Sequence, residues 1–267
     1  MFTTILSGMS TSMFDISVVS NNVANASTTA FRKSEASFSD LYSGASAETV
    51  SRTSTGVGSI VEKTRQNTQQ GALIDRNGVL NMALAGSGMF VTTTTNIDGT
   101  PSDALKFTRN GEFALDESGV LRSSTNDIVY GFDGIGGTTL QNIVVPFADE
   151  TDTKLTSIEV GTDGLIQATY GAKDAQVIGQ LAVATFANAS SLQQLGLGNF
   201  QESQASGTPT FGIAGSEGFG SVEVGKLEAS NVNLTTELTS LIRAQQQFSG
   251  SSRILQAYSD MIEKLTR

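Results

Sequence analysis

The only side chains that gather in numbers suited to chemistry are acidic: Asp116, Glu117, Asp127, Asp133, Asp149, Glu150 and Asp152. Paired carboxylates can cleave glycosides, and clustered ones can hold calcium through oxygen. Here no pair is fixed at a catalytic separation and no D-x-[DN]-x-[DN]-G loop occurs, so these residues read as solvated turns. The stretch "GFDGIGG" carries Gly131, Gly134, Gly136 and Gly137. A phosphate cradle requires a helix opening directly after such a loop, but Thr138 to Leu140 lead into "NIVVP", a strand pattern, so this too reads as a loop. Serine is plentiful, yet the chain has no His and no Cys, and no G-x-S-x-G elbow. That removes His bases, Cys nucleophiles, Cys/His zinc sites and disulfides. The sequence reads as non-enzymatic, with no catalytic residue, no metal and no cofactor.

The elements that would position any site are set by composition. The 267 residues are 38% hydrophobic, enough for one core, or one core with an extension. The net charge is -10, and 16 Lys and Arg are scattered rather than striped, which argues against nucleic acid and for protein partners. Absent Trp, three Pro and 28 Gly suit a β-rich domain with many turns. The opening "MFTTILSGMSTSMFDISVV" lacks a basic region before its apolar residues, so a secretory signal is not expected. No apolar run approaches the ~18 residues of a spanning helix, so membrane insertion is not expected either.

Both ends carry a seven-residue period. Phe2, Met9, Ile16 and Val23 fall seven apart, with Leu6 and Met13 four residues after the first two. The opposite face holds Thr3, Thr4, Ser7, Ser10, Thr11 and Ser17, mediocre helix formers. Near the C-terminus Leu227, Leu234, Leu241, Phe248, Leu255 and Ile262 repeat the period, with Leu238, Ala244, Tyr258 and Leu265 between. Asn231 or Asn233 could cap this helix, and Glu237 suits its first turn. Each segment can be an ordinary amphipathic helix packed on its own domain. Alternatively, the two can pair as a coiled coil, within one chain or between neighbours. The assembly seam would then comprise Phe2, Leu6, Met9, Met13, Ile16, Val23, Leu234, Leu238, Leu241, Phe248, Leu255 and Ile262.

Between the ends the pattern is β. "LKFTRNGEFAL" reads as a hairpin turning at Asn110-Gly111, and "LTSIEVGTDGLIQATY" as another turning at Asp163-Gly164. "VIGQLAVATFA" is a strand with Leu181, Val183 and Thr185 on one face, and "FGIAGSEGFGSVEVG" a Gly-rich connection. The expected fold is α+β: a mainly-β central domain of antiparallel hairpins over 72–225, a terminal helical domain from 1–30 with 226–267, and a polar, extended arm over 31–71.

Three stretches together resemble the bacterial flagellar axial proteins, the rod and hook subunits of the hook-basal body. "VVSNNVANASTTAFRK" is similar to their N-terminal signature through Asn21, Asn22, Val23, Ala24, Asn25 and Phe31. Ala30 stands where the family usually has Gly, and Arg32 where it has Lys. "GKLEASNVNLTTELTSLIRAQQQFSGSSRILQAYSDMIEKL" resembles the closing helix, with Glu228, Ser230, Asn231, Val232, Leu238, Ala244, Gln245 and Leu265 in the expected places. "LNMALAGSGMFVT" and "FTRNGEFALDESGVL" match in the middle, so nearly the whole chain is covered.

The resemblance implies a structural subunit that polymerises into a helical tube transmitting motor torque. Terminal helices would pair inside the tube, with the β domain outside. Its partners would be further copies of itself, neighbouring axial proteins and the type III export apparatus, and its place the flagellar hook-basal body, reached by export across the envelope. "DLYSG", "ALAGSGMFV", "LEASNV" and "AQQQFSGSSR" look most like hook protein, whereas the length looks like a rod protein. "NIVVPFADETDTKLTSIEVGTDG" runs straight across the point where hook subunits carry a large outer insertion. A hook-type subunit with a short or missing outer domain is favoured, a distal or proximal rod subunit is the alternative, and an unrelated surface-binding β module is a third reading.

Overall fold

A computed structural model describes residues 2–42, 56–95, 101–137, 139–149 and 152–266. Thr138, Glu150 and much of the expected arm, 43–55, lie outside the described residues. The chain divides into two compact units, crossing between them at 27/28, 32/33, 67/68 and 231/232.

The described residues of the first unit fall within Met1–Ser27, Lys33–Asn67 and Val232–Arg267. They form helix α1 (Phe2–Ala24), strands β1 (Ser34–Tyr42) and β2 (Gly56–Gln66), and helix α2 (Leu234–Thr266). The helices pack antiparallel: Asn22 near the end of α1 meets Glu237 at the start of α2, and Gly8 faces Ser251. At the α2 start Asn233 is the cap, its Oδ1 accepting from Thr236 N at 3.2 Å. Strands β1 and β2 pair antiparallel from Ser34↔Gln66 to Tyr42↔Gly56. Within 31–71, residues 34–42 and 56–66 form a two-stranded ribbon in which each strand satisfies the other's backbone groups.

The polar face of α1 is used in an unexpected way. Thr11 and Ser12 are buried, and their hydroxyls bond back to carbonyls of their own helix, Ser12 Oγ to Gly8 O at 2.8 Å. With their polarity satisfied, these small side chains let β2 approach closely. Thr11 Oγ1 and Ser59 Oγ lie 3.2 Å apart, and Gly58, at φ +124°, lies where a Cβ would overlap Ser7 Oγ.

The second unit comprises Thr28–Arg32 and Thr68–Asn231. Its strands are β3 (Leu73–Asp75), β4 (Met82–Ala85), β5 (Met89–Thr95), β6 (Pro101–Thr108), β7 (Phe113–Leu115), β8 (Leu121–Ser123), β9 (Ile128–Phe132), β10 (Leu140–Asn142), β11 (Leu155–Val160), β12 (Leu165–Tyr170), β13 (Gln176–Thr185), β14 (Gln193–Gly196), β15 (Asn199–Gln201), β16 (Thr210–Ile213), β17 (Ser221–Val224) and β18 (Lys226–Glu228). The main sheet runs β11-β12-β13-β9-β5-β6-β15-β14, and separate pairs join β17 to β4 and β18 to β3. With these sheets and the two helices, the class is α+β.

Strand β13 is the centre because both its faces are buried. Leu181 and Val183 enter a cluster with Met82, Leu84, Phe90 and Tyr170, while Ala182 and Ala184 enter another with Val91, Phe107 and Phe200. Phe90 and Phe107 are fully buried, each stabilising by about 1.5–3 kcal/mol relative to exposure.

Strands β11 and β12 form the expected hairpin, with Gly164 at φ +76° in the turn. "LKFTRNGEFAL" does not form one. Strand β6 pairs β5 and β15, while β7 pairs β8. Gly111 serves a different purpose: its carbonyl accepts from Met82 N at 2.9 Å, and a Cβ there would overlap the Met82 carbonyl oxygen. The Asn-Gly pair marks a close backbone crossing, which has the same signature as a tight turn. The Gly-rich connection 211–225 likewise contains β16 and β17, since β13 and β4 offer them partners. Gly111→Ala is expected to cost about 2–3 kcal/mol in urea unfolding, because the backbone must move to admit the methyl group.

Candidate functional site

Glu228 ends β18 and is 2% exposed. Its Oε2 lies 3.3 Å from Arg109 Nη1, and its Oε1 lies 3.0 Å from Gly71 N and 3.8 Å from Arg32 Nη2. Both arginines are buried and bind backbone carbonyls as well: Arg109 those of Leu84 and Gly86, Arg32 that of Thr68. The Glu228 carbonyl accepts from Ala30 N at 2.8 Å, Ala229 N donates to Ala72 O, and Asn231 N donates to Phe31 O. Three separate stretches of the second unit, 30–32, 71–72 and Arg109, thus converge on one carboxylate and its strand. Burial pushes the Arg109 guanidinium down to about 10, opposed by the attraction of Glu228, and lowers Arg32 in the same way.

The approach to this cluster is strained. Ala30 is buried at φ +57°, in the left-handed region where glycine is at ease. The resemblance expects Gly at that position, and Ala30 stands there in the conformation that glycine adopts most easily. Half-buried Phe31 and Asn231 flank it, and Asn231 Nδ2 donates to Gln69 O at 2.9 Å instead of capping α2. Ser230 is also half-buried.

The asparagines of α1 divide their work. Asn25 Nδ2 donates to Asn21 O at 2.9 Å, closing the helix end. Asn21 itself is exposed. Asn22 does more: it is 1% exposed, accepts from Ser34 N at 2.9 Å, and donates to Ser34 O at 2.8 Å and to Glu237 Oε2 at 3.1 Å. One side-chain amide therefore pairs with a backbone residue as a strand would, and joins α1, β1 and α2. Asp15 on the same helix has its carboxyl raised by burial, and next by Glu237. The folded form thus holds a proton that the unfolded form releases. This group favours folding below the usual carboxylate range and weakens the unit as pH rises through its raised pKa.

The heptad residues are only half sealed within one chain. In α1, Met9, Ile16 and Val23 are half-buried, while Phe2, Leu6 and Met13 are 50%, 49% and 65% exposed. In α2, Leu241, Phe248 and Leu255 are half-buried, but Leu234, Leu238 and Ile262 are exposed, as are Ile242, Ile254, Met261 and Leu265. The deepest residues of α2 are Glu237 and Ala244. Phe2, Leu255 and Ile262 line one groove, which brings together opposite ends of the two sequence patterns.

Sequence reasoning missed Arg109 and Gly71. An Arg beside Asn-Gly looks like a solvated turn residue, and nothing local signals a carboxylate 119 positions away. Asp127 is likewise no solvated turn residue: it is 3% exposed and takes Lys106 Nζ at 3.0 Å and Thr125 Oγ1 at 2.7 Å. Among the described residues, no group of acidic side chains has a metal-holding arrangement, and no helix is long and apolar enough to cross a membrane.

Residues 223–267, which include Glu228 and α2, match the flagellar basal body rod FlgEFG protein C-terminal family. Residues 83–168, which include Arg109 and Gly111, match the flagellar hook protein FlgE/F/G D1 domain. The flagellar basal-body rod protein FlgG of Bacillus subtilis is 31% identical over 270 residues, covering 97% of this chain and 95% of that protein. The chain belongs to the flagellar rod and hook protein family. FlgG of Buchnera aphidicola from Acyrthosiphon pisum is 30% identical, covering 97% of this chain and 96% of its own length. The hook protein FlgE of Salmonella typhimurium is 31% identical over 179 residues, 62% of this chain and 43% of that protein. Like its family, the chain is a structural subunit of the flagellar axis and not an enzyme.

Glu228→Gln is expected to cost about 3–5 kcal/mol in urea denaturation, because it leaves two guanidinium groups buried without a counter-charge. Asp116→Asn, which breaks a half-buried pair with Arg122, should lower the midpoint only slightly. In the first unit, Asn22→Ala should cost about 1–3 kcal/mol. Asn22→Asp should cost more at neutral pH, since it sets a carboxylate against Glu237. The gap between the two variants should narrow on acidification, as the like-charged pair takes up a proton in the folded state.

Proposed function

We propose that the chain is a rod-type axial subunit that polymerises into a helical tube and transmits torque. Its partners are further copies of itself and the axial proteins next to it. The observation that carries polymerisation is two sets of exposed apolar side chains on α2, Leu234, Leu238 and Ile242 near its start and Ile254, Met261 and Leu265 near its end. One helix pair cannot seal both apolar edges of a 33-residue helix, so other helices must complete the coiled-coil packing. Heterologous contacts that do not close on themselves give filaments.

The rod reading over the hook reading rests on length. The rod relatives align along 95–96% of themselves, whereas the hook relative aligns along 43%. The described chain through β10, β11 and β12 also leaves little room for an inserted outer domain. The hook reading keeps the 31% identity to FlgE in its favour. In either case the subunit passes unfolded through the flagellar type III export channel. A Cys-free chain suits that route, because no disulfide can lock it before export. The weak helix formers of α1 add an ordering cost to each subunit that joins, which restrains premature assembly.

Leu238→Asp with Ile242→Asp should abolish polymer growth, measured by light scattering and electron microscopy. The melting temperature of the monomer should stay within about 2 °C, since both side chains are already exposed. Filaments of normal length from this variant would overturn the assembly reading. Antibody labelling of isolated basal bodies separates the two members: label confined to the rod supports the proposal, and label along the hook supports the alternative.

A further inference from the structure

A cleft of about 390 Å³ in the second unit is lined by Arg32, Arg109, Thr68, Ser87, Thr185 and Ser190, with Met89, Phe186 and several alanines among the remaining walls. Among the described residues, no acidic one lines it. The two guanidinium side chains are 4% and 5% exposed, so water solvates them poorly, and Glu228 supplies one negative charge against their two positive ones. Each arginine also keeps a buried Nε with no hydrogen-bond partner. A buried charge left uncompensated is costly, and a planar carboxylate is the group that guanidinium forks and hydroxyls best receive.

We propose that this cleft is a carboxylate-binding site, filled in the assembled polymer by an aspartate or glutamate side chain from a second copy of the chain. The chain has acidic groups to spare, with 26 Asp and Glu against 16 Lys and Arg. The second copy as the source rests on the polymerisation reading above. The site itself does not.

Ala187 is exposed on the cleft wall, which allows a test that leaves the arginines in place. Ala187→Glu tethers a carboxylate over them, and Ala187→Gln is its uncharged match. Sodium acetate, compared with sodium chloride at equal ionic strength, should raise the melting temperature of the wild-type monomer by about 2–4 °C. It should do the same for Ala187→Gln and nothing for Ala187→Glu, which should already melt higher than Ala187→Gln. Assembly should be slowed at least tenfold in Ala187→Glu and be normal in Ala187→Gln. Absence of any acetate-specific shift, with Ala187→Glu melting no higher than Ala187→Gln, would overturn the site. A shift in the monomer with normal assembly of Ala187→Glu would overturn the second copy as the source and leave a free small anion as the ligand. Failure of the wild-type protein to polymerise under any condition would overturn the assembly reading, and with it the second copy as the source. The melting comparison would still decide the cleft.

Discussion

The second unit depends on a single buried carboxylate. Glu228 receives charge from Arg109 and Arg32 and a backbone N–H from Gly71, and its own carbonyl holds Ala30. The arginines carry the connection onward to the carbonyls of Leu84, Gly86 and Thr68. A hydrophobic patch could supply comparable energy, but it would not fix which strand end meets which loop. Charged forks and directed hydrogen bonds fix that geometry, at a desolvation cost visible in the lowered pKa of both arginines. The aliphatic and aromatic clusters around β13 then provide the bulk stability.

The first unit is organised by a different economy of contacts. Its helices bury Thr11, Ser12, Asn22, Glu237 and Ala244 together with Val18 and Val19, and leave much of their apolar surface outward. Asn22 replaces a piece of backbone ladder, and Thr11 and Ser12 make a polar face smooth enough to bury. Its interior contacts are specific, and apolar side chains such as Met13, Leu238 and Ile242 stay exposed.

The periodic features were legible in the sequence. Heptad spacing identified both helices, alternation identified β11, β12 and β13, and the Asp163-Gly164 turn was read correctly because its chemistry is local. Features set by distant partners were not legible. The Asn110-Gly111 pair was read as a hairpin turn because glycine is needed both for tight turns and for close backbone approach, and only Met82 distinguishes them. Asp127 was read as a solvated turn residue and Arg109 was not singled out, since burial is a property of neighbours far along the chain. Period placed the apolar residues Phe2 to Val23 and Leu234 to Ile262 on two helices, yet which of them one chain buries and which it leaves exposed depends on how deeply the ribbon and the helices approach.

The sequence by itself determined the class and the two terminal helices, which follow from composition and short-range period, and its three motifs carried the resemblance to the flagellar axial proteins. Only the tertiary structure decided that Glu228 is a hub, that Asn22 pairs with Ser34, and that a cleft with surplus positive charge lies beside the hub. The reason is physical: periodicity acts over one or two turns of chain, whereas charge compensation and burial act through space, between residues as far apart as Arg32 and Glu228.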